Sequence, residues 1–153
     1  MRGRVVAVCK SEHKGMRKTS VGSAVLREGH GLLGDAHAGK WHRQVSLLAM
    51  ESIQKMRDKG LDVGPGDFAE NITTEGIPLA DLPVGTHLLI GDQVLLEVTQ
   101  IGKECHTRCA IYFQAGDCVM PREGIFCAVL KGGRIAEGDE IEVIVEERVP
   151  VES

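Results

Sequence analysis

A chain of 153 residues has the length of one domain, and a core of that size buries about two thirds of the surface that the unfolded chain exposes. Hydrophobic residues make up 42% and charged residues 26%, which is typical of a globular protein and excludes a disordered one. The formal net charge is −4, whereas binding to nucleic-acid phosphates requires a basic surface. We therefore expect a single domain over residues 1–153 that has no nucleic-acid partner.

The sequence indicates a cytoplasmic protein with no membrane association. No N-terminal segment combines a charged start, an apolar run and a small-residue cleavage site, as an export signal does. No apolar run approaches the ~18 residues that a bilayer-spanning helix needs. Five cysteines in a chain without an export signal are typical of free thiols, and their odd number also argues against a disulfide framework.

Short strands dominate the predicted secondary structure. Arg4–Cys9 is a compact apolar run rich in β-branched residues, and Ser20–Arg27 has a similar composition. The Gly91-Asp92 pair suits a two-residue type II′ hairpin turn, because its first position is glycine. Later segments with a strand pattern are His87–Ile90, Gln93–Thr99, Ile125–Lys131, Arg134–Ile135 and Glu140–Glu146.

One amphipathic helix is predicted over Leu47–Lys59, with Ser46 as its N-cap and Gly60 at its end. Apolar residues recur there at helical spacing, at Leu47, Met50, Ile53 and Met56. Many short strands and 19 glycines favour a mainly β fold. We expect a closed or partly closed β-barrel with a few peripheral helices, because closure removes exposed sheet edges.

The segment richest in reactive side chains follows the predicted strand that ends near Thr99. Cys105 and Cys109 lie there among three cationic or titratable side chains, Lys103, His106 and Arg108. A cysteine reacts as its thiolate, and nearby positive charge lowers the thiol pKa. A shift of about 1.5 units, worth roughly 2 kcal/mol, ionises half of a thiol at neutral pH. We therefore interpret Cys105 and Cys109 as candidate catalytic residues. Cys9 and Cys127 have apolar neighbours, which is typical of packed thiols.

A structural zinc site is an alternative interpretation of the same segment. Zinc is held in proteins by four soft ligands in a tetrahedron, and Cys105, His106, Cys109 and Cys118 supply such groups. The spacing argues against zinc, because three residues separate Cys105 from Cys109 and Cys118 has no paired cysteine.

Two further groups of polar residues are candidates for ligand contact. The glycine-rich stretch that follows Gly29 contains His30, Asp35, His37, His42 and Arg43. Clustered titratable groups on such a loop are typical of a ligand site, although a lone loop histidine is usually just solvated. Glu70 and Asn71 follow in a second loop, where they either hydrogen-bond a ligand or hold two loops together.

Four segments, taken in order, resemble the MOSC family, which is named after the C-terminal domain of molybdenum-cofactor sulfurases. The segments are Gly31–Gly39, Arg43–Leu48, Gly66–Ile72 and the stretch around Cys105, and the likeness runs from about Val5 to Val145. The resemblance implies a β-barrel-like domain with a few helices. It also implies a reactive cysteine that carries sulfur for, or binds, the molybdenum cofactor.

Two cysteines match the family pattern. Val98–Cys105 fits the short motif that ends in the reactive cysteine, whereas Arg108-Cys109 matches the Arg-Cys pair of larger relatives. We prefer Cys105, which is also the candidate ligand of molybdenum. The resemblance implies a molybdopterin-type anionic cofactor beside this cysteine. Candidate cofactor-binding residues are Lys103, His106, Arg108, Arg122, Arg43, His37, Asp35, Glu70 and Asn71.

The chain lacks the pyridoxal-phosphate domain of the full sulfurases, so we expect no pyridoxal phosphate here. The expected partners are therefore an external sulfur donor such as a cysteine desulfurase, and molybdenum-cofactor enzymes or biosynthesis proteins. The alternative function is a non-catalytic cofactor-binding or chaperone module. For either function we expect the His30–Arg43 loop, the Glu70-Asn71 turn and the Cys105–Cys118 segment to converge on one cleft, because neither loop has enough apolar content to form its own core.

We expect no stoichiometric zinc in protein purified without added metal, because the ligand spacings are irregular. Elemental analysis of the purified protein measures this directly. One zinc per chain that disappears when Cys105 and Cys109 are replaced would favour the zinc site over sulfur chemistry.

Overall fold

The structure is a computed structural model that describes residues 1–13, 17–36, 38–102 and 123–144. One α-helix, α1 (Met50–Asp58), and one 3₁₀ turn (Leu79–Asp81) lie wholly within these ranges. The strands, in chain order, are β1 (Arg2–Lys10), β2 (Thr19–Ser20), β3 (Ser23–Arg27), β4 (Gly31–Leu32), β5 (Val45–Ala49), β6 (Ile72–Glu75), β7 (His87–Ile90), β8 (Val94–Ile101), β9 (Ile125–Lys131), β10 (Gly133–Ala136) and β11 (Glu140–Ile144).

Seven of these strands close into a barrel, in the order β11-β7-β8-β9-β5-β6-β1. The first and last members pair with each other, with Arg2 opposite Glu142. Within this barrel only β5 and β6 run parallel, and the other pairs are antiparallel. Strand β2 pairs with the end of β1. A small sheet of β10, β3 and β4 packs beside the barrel. The mainly β fold with a closed barrel is therefore confirmed.

The barrel interior is filled by aliphatic side chains, as the low aromatic content of the sequence requires. Strand β8 shows the cause, because its residues alternate between the two faces of the sheet. Val94, Leu96 and Val98 are fully buried inside, whereas Leu95 and Glu97 are partly exposed. Interior positions on the other strands carry Val, Ile and Leu in the same alternation, and together they form one core.

The predicted helix begins three residues too early. Leu47, Leu48 and Ala49 belong to strand β5, and the helix starts at Met50. Every residue of β5 is buried, because Val45, Leu47 and Ala49 face the barrel while Leu48 faces outward under the helix. A strand that is buried on both faces has no polar alternation, so its apolar residues were indistinguishable from the first turn of a helix. Ser46 does not cap the helix, whose N-cap residue is Ala49.

Three other local predictions are wrong. The expected strand Ser20–Arg27 is split at residues 21–22, where Gly22 takes a φ of +76°. The hairpin between β7 and β8 has three connecting residues, 91–93, because Ile90 pairs with Val94. Strands β4 and β6 lie in stretches that the sequence suggested were loops. Both are short, and their pairing partners rather than a local pattern hold them in place.

Helix α1 covers a second apolar cluster on the outside of the barrel. Its buried residues Ile53 and Met56 pack against Phe126 of β9 and Phe68 of the loop before β6. The helix thereby fixes the loop at residues 63–68 against the barrel wall. No helix in the described ranges has the length and apolar composition that crossing a membrane requires.

We expect Gly66→Ala to destabilise the fold more than Gly60→Ala, although both glycines have nearly the same backbone conformation. Their φ angles are +89° and +91°, so alanine meets a similar left-handed strain of about 1–2 kcal/mol at each position. A methyl group at Gly66 would lie 2.2 Å from the Lys18 carbonyl oxygen, whereas nothing lies within 4 Å at Gly60. The clash adds roughly 1–3 kcal/mol at Gly66 alone. Urea unfolding of the two variants measures the difference, and equal losses of stability would contradict the close approach.

Candidate functional site

The cysteine segment lies between β8 and β9, and the structure describes both of its attachment points. The Gly102 amide donates to the Gly124 carbonyl oxygen at 2.6 Å, which holds the two ends of the segment together at one edge of the barrel. The segment itself, residues 103–122, is outside the described residues. It contains seven of the discussed residues, Lys103, Cys105, His106, Arg108, Cys109, Cys118 and Arg122.

A β-bulge at Thr99 determines which side chain points outward next to this segment. Val98 faces the core opposite Cys127, and in a regular strand Gln100 would face the same way. The register shifts between these two residues, so Gln100 lies opposite Phe126, whose ring is on the outer face of the barrel. The bulge therefore places the Gln100 amide on the barrel exterior, three residues before the cysteine segment begins.

Gln100 collects hydrogen bonds from two sides. Its Oε1 atom lies 2.8 Å from His42 Nε2 and accepts from Arg43 Nε at 3.0 Å. Its Nε2 atom donates to the Gly102 carbonyl oxygen at 2.7 Å. The guanidinium carbon of Arg43 lies 5.1 Å from the centre of the Phe126 ring and 5.9 Å from that of Trp41. We call these five residues, Trp41, His42, Arg43, Gln100 and Phe126, the Arg43 corner.

Thr99, the bulged residue, ties the corner to the barrel. Its hydroxyl group contacts the carbonyl oxygen of His42 and lies 3.1 Å from that of Phe126. The end of the glycine-rich loop is therefore held directly on the strand that leads to the cysteine segment. Of the predicted site residues, the structure thus brings His42 and Arg43 next to the point where this segment leaves the barrel.

Asn71 lies on the same outer face of the barrel as Phe126, at the beginning of β6 and two strands away from β9. Its Oδ1 atom accepts from the Ser46 amide at 3.0 Å, and its Nδ2 atom donates to the Cys9 carbonyl oxygen at 3.1 Å. Ser46 is paired with Phe126 across β5 and β9, so Gln100, Phe126, Ser46 and Asn71 form one row across neighbouring strands. Asn71 is fully buried, and these contacts join β1 to β5.

Asp35 is buried in an ion pair with Lys18. The Lys18 Nζ atom lies 2.7 Å from Asp35 Oδ1, and neither side chain is exposed. Burial alone would raise the pKa of the Asp35 carboxyl, but hydrogen bonds from Lys18 and from the Ser11 amide, together with the charge of Lys18, hold that pKa below its ordinary value. Asp35 is therefore a carboxylate that connects its own loop to the loop between β1 and β2. His37, the neighbouring candidate, lies outside the described residues.

Glu70 is also buried but has no cationic partner among the described residues. Its Oε2 atom accepts from the Thr73 hydroxyl at 2.7 Å, and its Oε1 atom accepts from the Phe68 amide at 3.3 Å. Burial raises the pKa of the Glu70 carboxyl, because these hydrogen bonds only partly offset the loss of hydration. The Glu70 side chain thus stabilises its own loop, in which the neighbouring Ala69 takes a φ of +62°.

The two cysteines in the described part of the chain are packed thiols. Burial raises the pKa of Cys9 to about 12, and the carboxylate of Glu70 adds to the effect. Burial also raises the pKa of Cys127, which faces the barrel core. In the described ranges, no three histidine, cysteine or acidic side chains are grouped so that they could hold a metal ion.

A groove of about 510 Å³ lies between α1 and residues 76–81. Glu123, the first described residue after the segment, lies on its wall and accepts from Ser52 at 2.8 Å and from Lys55 at 2.9 Å. No predicted site residue of the described part lines this groove. The convergence of His37 and Cys105 on one cleft remains a prediction, since neither residue is described.

We expect Glu70→Gln to flatten the loss of stability that the protein shows as pH rises from about 4.5 to 7. A carboxyl with a raised folded-state pKa binds its proton more tightly when folded, so stability falls as pH rises above the unfolded value of about 4.3. The slope reaches at most about 1.4 kcal/mol per pH unit for one such group. Asp35 does not interfere, because its lowered pKa affects stability only below about pH 4.

Urea unfolding at several pH values measures this slope, and the exposed Glu28→Gln variant is the matched control. The amide keeps an acceptor for the Phe68 amide and adds a donor toward Thr73. Parallel pH profiles for wild type and Glu70→Gln would show that Glu70 does not titrate in this range.

Comparison with known proteins identifies the fold and the family. The structure is similar to the YuaD protein from Bacillus subtilis, with a TM-score of 0.77 at 19% identity over 94% of this chain and 96% of that one. It is also similar to YiiM from Geobacillus stearothermophilus, with a TM-score of 0.68 at 18% identity over 94% of this chain and 75% of that one. For YiiM from Escherichia coli the TM-score is 0.63 at 19% identity, over 95% and 70% of the two chains. No curated protein matches the sequence.

The family model for the MOSC domain matches residues 34–142, which is well over half of the chain. The match spans the loop that carries Asp35, the Arg43 corner, the Glu70-Asn71 turn and the whole cysteine segment. The chain therefore belongs to the MOSC domain family.

Proposed function

We propose that this MOSC domain carries sulfur for the molybdenum cofactor, with Cys105 or Cys109 as the thiol that accepts a persulfide. One observation carries the proposal: the cysteine segment leaves and re-enters the barrel beside the Arg43 corner. A guanidinium held near the base of a cysteine-containing loop favours both a thiolate and an anionic ligand.

The distance along the chain supports this placement. Gly102 is fixed by Gly124 and by the Gln100 side chain, which also binds Arg43. Cys105 follows Gly102 by three residues, and three residues of extended chain reach at most about 11 Å. Cys109 is seven residues away, a reach of about 25 Å. The geometry of the attachment point therefore favours Cys105 as the thiol that works with the Arg43 corner.

The burial of the other thiols narrows the choice further. Cys9 and Cys127 are shielded, and the raised pKa of each thiol disfavours the reactive thiolate. The remaining thiols are those of the segment itself, and Cys105 and Cys109 among them are the candidates for sulfur transfer.

Transfer of sulfur from a donor persulfide to a thiol of this chain needs no added oxidant. The thiolate of this chain attacks the outer sulfur of a persulfide on the donor protein, and a sulfur–sulfur bond forms on this chain. The donor's own sulfur–sulfur bond breaks, and its electron pair stays on the donor as a thiolate. The donor is an external protein such as a cysteine desulfurase, and we place the exchange in the cytoplasm.

The residues of the Arg43 corner suit an anionic cofactor of the molybdopterin type. Arginine pairs with phosphate in a two-pronged geometry, and the neutral amide of Gln100 accepts from Arg43 without neutralising its charge. When bound, the molybdenum cofactor would supply the acceptor for the sulfur. In this proposal Arg43 orients its phosphate, with Lys103, His106, Arg108 and Arg122 as further contacts.

We expect Cys105→Ala to fold normally and to lose the persulfide that wild type gains from a cysteine desulfurase and free cysteine. Mass spectrometry of the intact protein and of its peptides measures the added sulfur. Cys118→Ala is the matched control, and we expect it to keep the persulfide. Alkylation rates against pH should show that the reactive thiol has a pKa below that of free cysteine.

Three outcomes would change the proposal. A persulfide on Cys9 or Cys127 would show that the site is wrong. A persulfide that survives Cys105→Ala and is lost in Cys109→Ala would transfer the role to Cys109. A molybdenum cofactor that co-purifies with the protein while no sulfur is ever transferred would establish the non-catalytic binding or chaperone module, in which Cys105 only ligates molybdenum.

A further inference from the structure

We infer that the Arg43 corner is a binding site for a phosphate group, and that Gln100 is the positioning residue that holds the Arg43 guanidinium in its binding orientation. The inference deepens the proposed function and rests on it for the identity of the natural ligand, a phosphate monoester. Three of the five corner residues, Trp41, Gln100 and Phe126, were not among the predicted ligand contacts.

The hydrogen bonds fix the orientation of the Gln100 amide. Its oxygen accepts from Arg43 Nε and lies against His42 Nε2, while its nitrogen donates to the Gly102 carbonyl oxygen. A rotation by 180° would set the NH₂ group against the Arg43 donor and the amide oxygen against the Gly102 oxygen. Gln100 therefore has one stable orientation, and it directs Arg43 from a fixed point on the bulge.

The remaining donors of Arg43 are oriented for a ligand. With Nε bound to Gln100, the two Nη groups remain as the fork that pairs with phosphate oxygens. Among the described residues, neither Nη atom has an acceptor and no carboxylate forms an ion pair with Arg43. The Phe126 and Trp41 rings lie within 6 Å of the guanidinium carbon and restrict its position.

The chemical identity of residue 100 determines the charge of the corner. Glutamine accepts the Arg43 hydrogen bond without neutralising the guanidinium. A glutamate has nearly the same shape, and it would place a carboxylate about 3 Å from Arg43 Nε. The carboxylate would neutralise the charge of the guanidinium. Gln100→Glu is therefore a test that changes the charge and leaves the side-chain volume almost constant.

The protein reports on this site directly, because Trp41 is its single tryptophan. We expect titration with inorganic phosphate at constant ionic strength to change the Trp41 fluorescence in a saturable way. Arg43→Gln should abolish the change, and Gln100→Glu should raise the Kd for phosphate at least tenfold. Arg134→Gln, which removes an exposed cation on β10, is the matched control and should bind phosphate like wild type.

A folding defect is recognised from circular dichroism and the Tm of each variant. If Gln100→Glu does not fold, Gln100→Met removes both amide interactions at similar length and should also weaken phosphate binding. A wild-type protein with no saturable response, or an equal response in Arg43→Gln, overturns the inference. So does an unchanged Kd in both Gln100 variants.

The persulfide experiment separates this inference from the proposed function. Wild type that binds phosphate through Arg43 but accepts no persulfide contradicts sulfur transfer and supports the phosphate site. Wild type that accepts a persulfide on Cys105 but gives no phosphate response overturns the phosphate site and leaves the sulfur-carrier function standing.

Discussion

The hydrogen bonds of the Asn71 side chain join the parts of the fold on which the site depends. The amide of Asn71 connects Ser46 at the start of β5 to Cys9 at the end of β1, across the beginning of β6. A buried amide without partners costs about 1–3 kcal/mol, so this arrangement is stable only when all three strands are in register. The same register sets Ser46 opposite Phe126 and Phe126 opposite Gln100. The geometry of the Arg43 corner therefore depends on Asn71, which lies two strands away from Phe126 of β9.

Two buried carboxyl groups near these hydrogen bonds differ in pKa because their surroundings differ. Asp35 and Glu70 are both removed from water, yet the pKa of Asp35 is lowered and that of Glu70 is raised. The difference is the ammonium group of Lys18, which lies on Asp35 and has no counterpart at Glu70 among the described residues. Asp35 is consequently a fixed negative charge between loops, whereas Glu70 favours its neutral form inside its own loop.

Short apolar runs rich in β-branched residues, separated by turns, predicted a mainly β barrel, and the MOSC resemblance implied the same architecture. The same signal failed at β5, whose outer face is covered by α1, so that both faces are apolar. It also failed at β4 and β6, which are too short to show a period and are held by their neighbours. Arg43 was found because an arginine near clustered histidines suggests ligand contact. Gln100 was missed because it lies beyond the predicted strand Gln93–Thr99. Continued alternation would place it with Val98 in the core, and only the bulge at Thr99 turns it outward. A polar residue at an apparent core position just before a reactive segment was the signal that could have identified it.

The closure of the barrel has a consequence for how the chain acquires its structure. Arg2 pairs with Glu142, and the hydrogen bonds of Val5 extend to residues 138–139. Strand β1 precedes β11 in the chain by almost all of the other strands, so the edge of β1 that β11 covers stays unpaired until those strands have been made. Pairings so distant in sequence cost loop-closure entropy before they contribute stability, which places this fold among the slower-folding topologies. Until β11 arrives, Arg2–Arg4 of β1 present an unpaired strand edge, and such open edges are exposed to aggregation while the chain is incomplete.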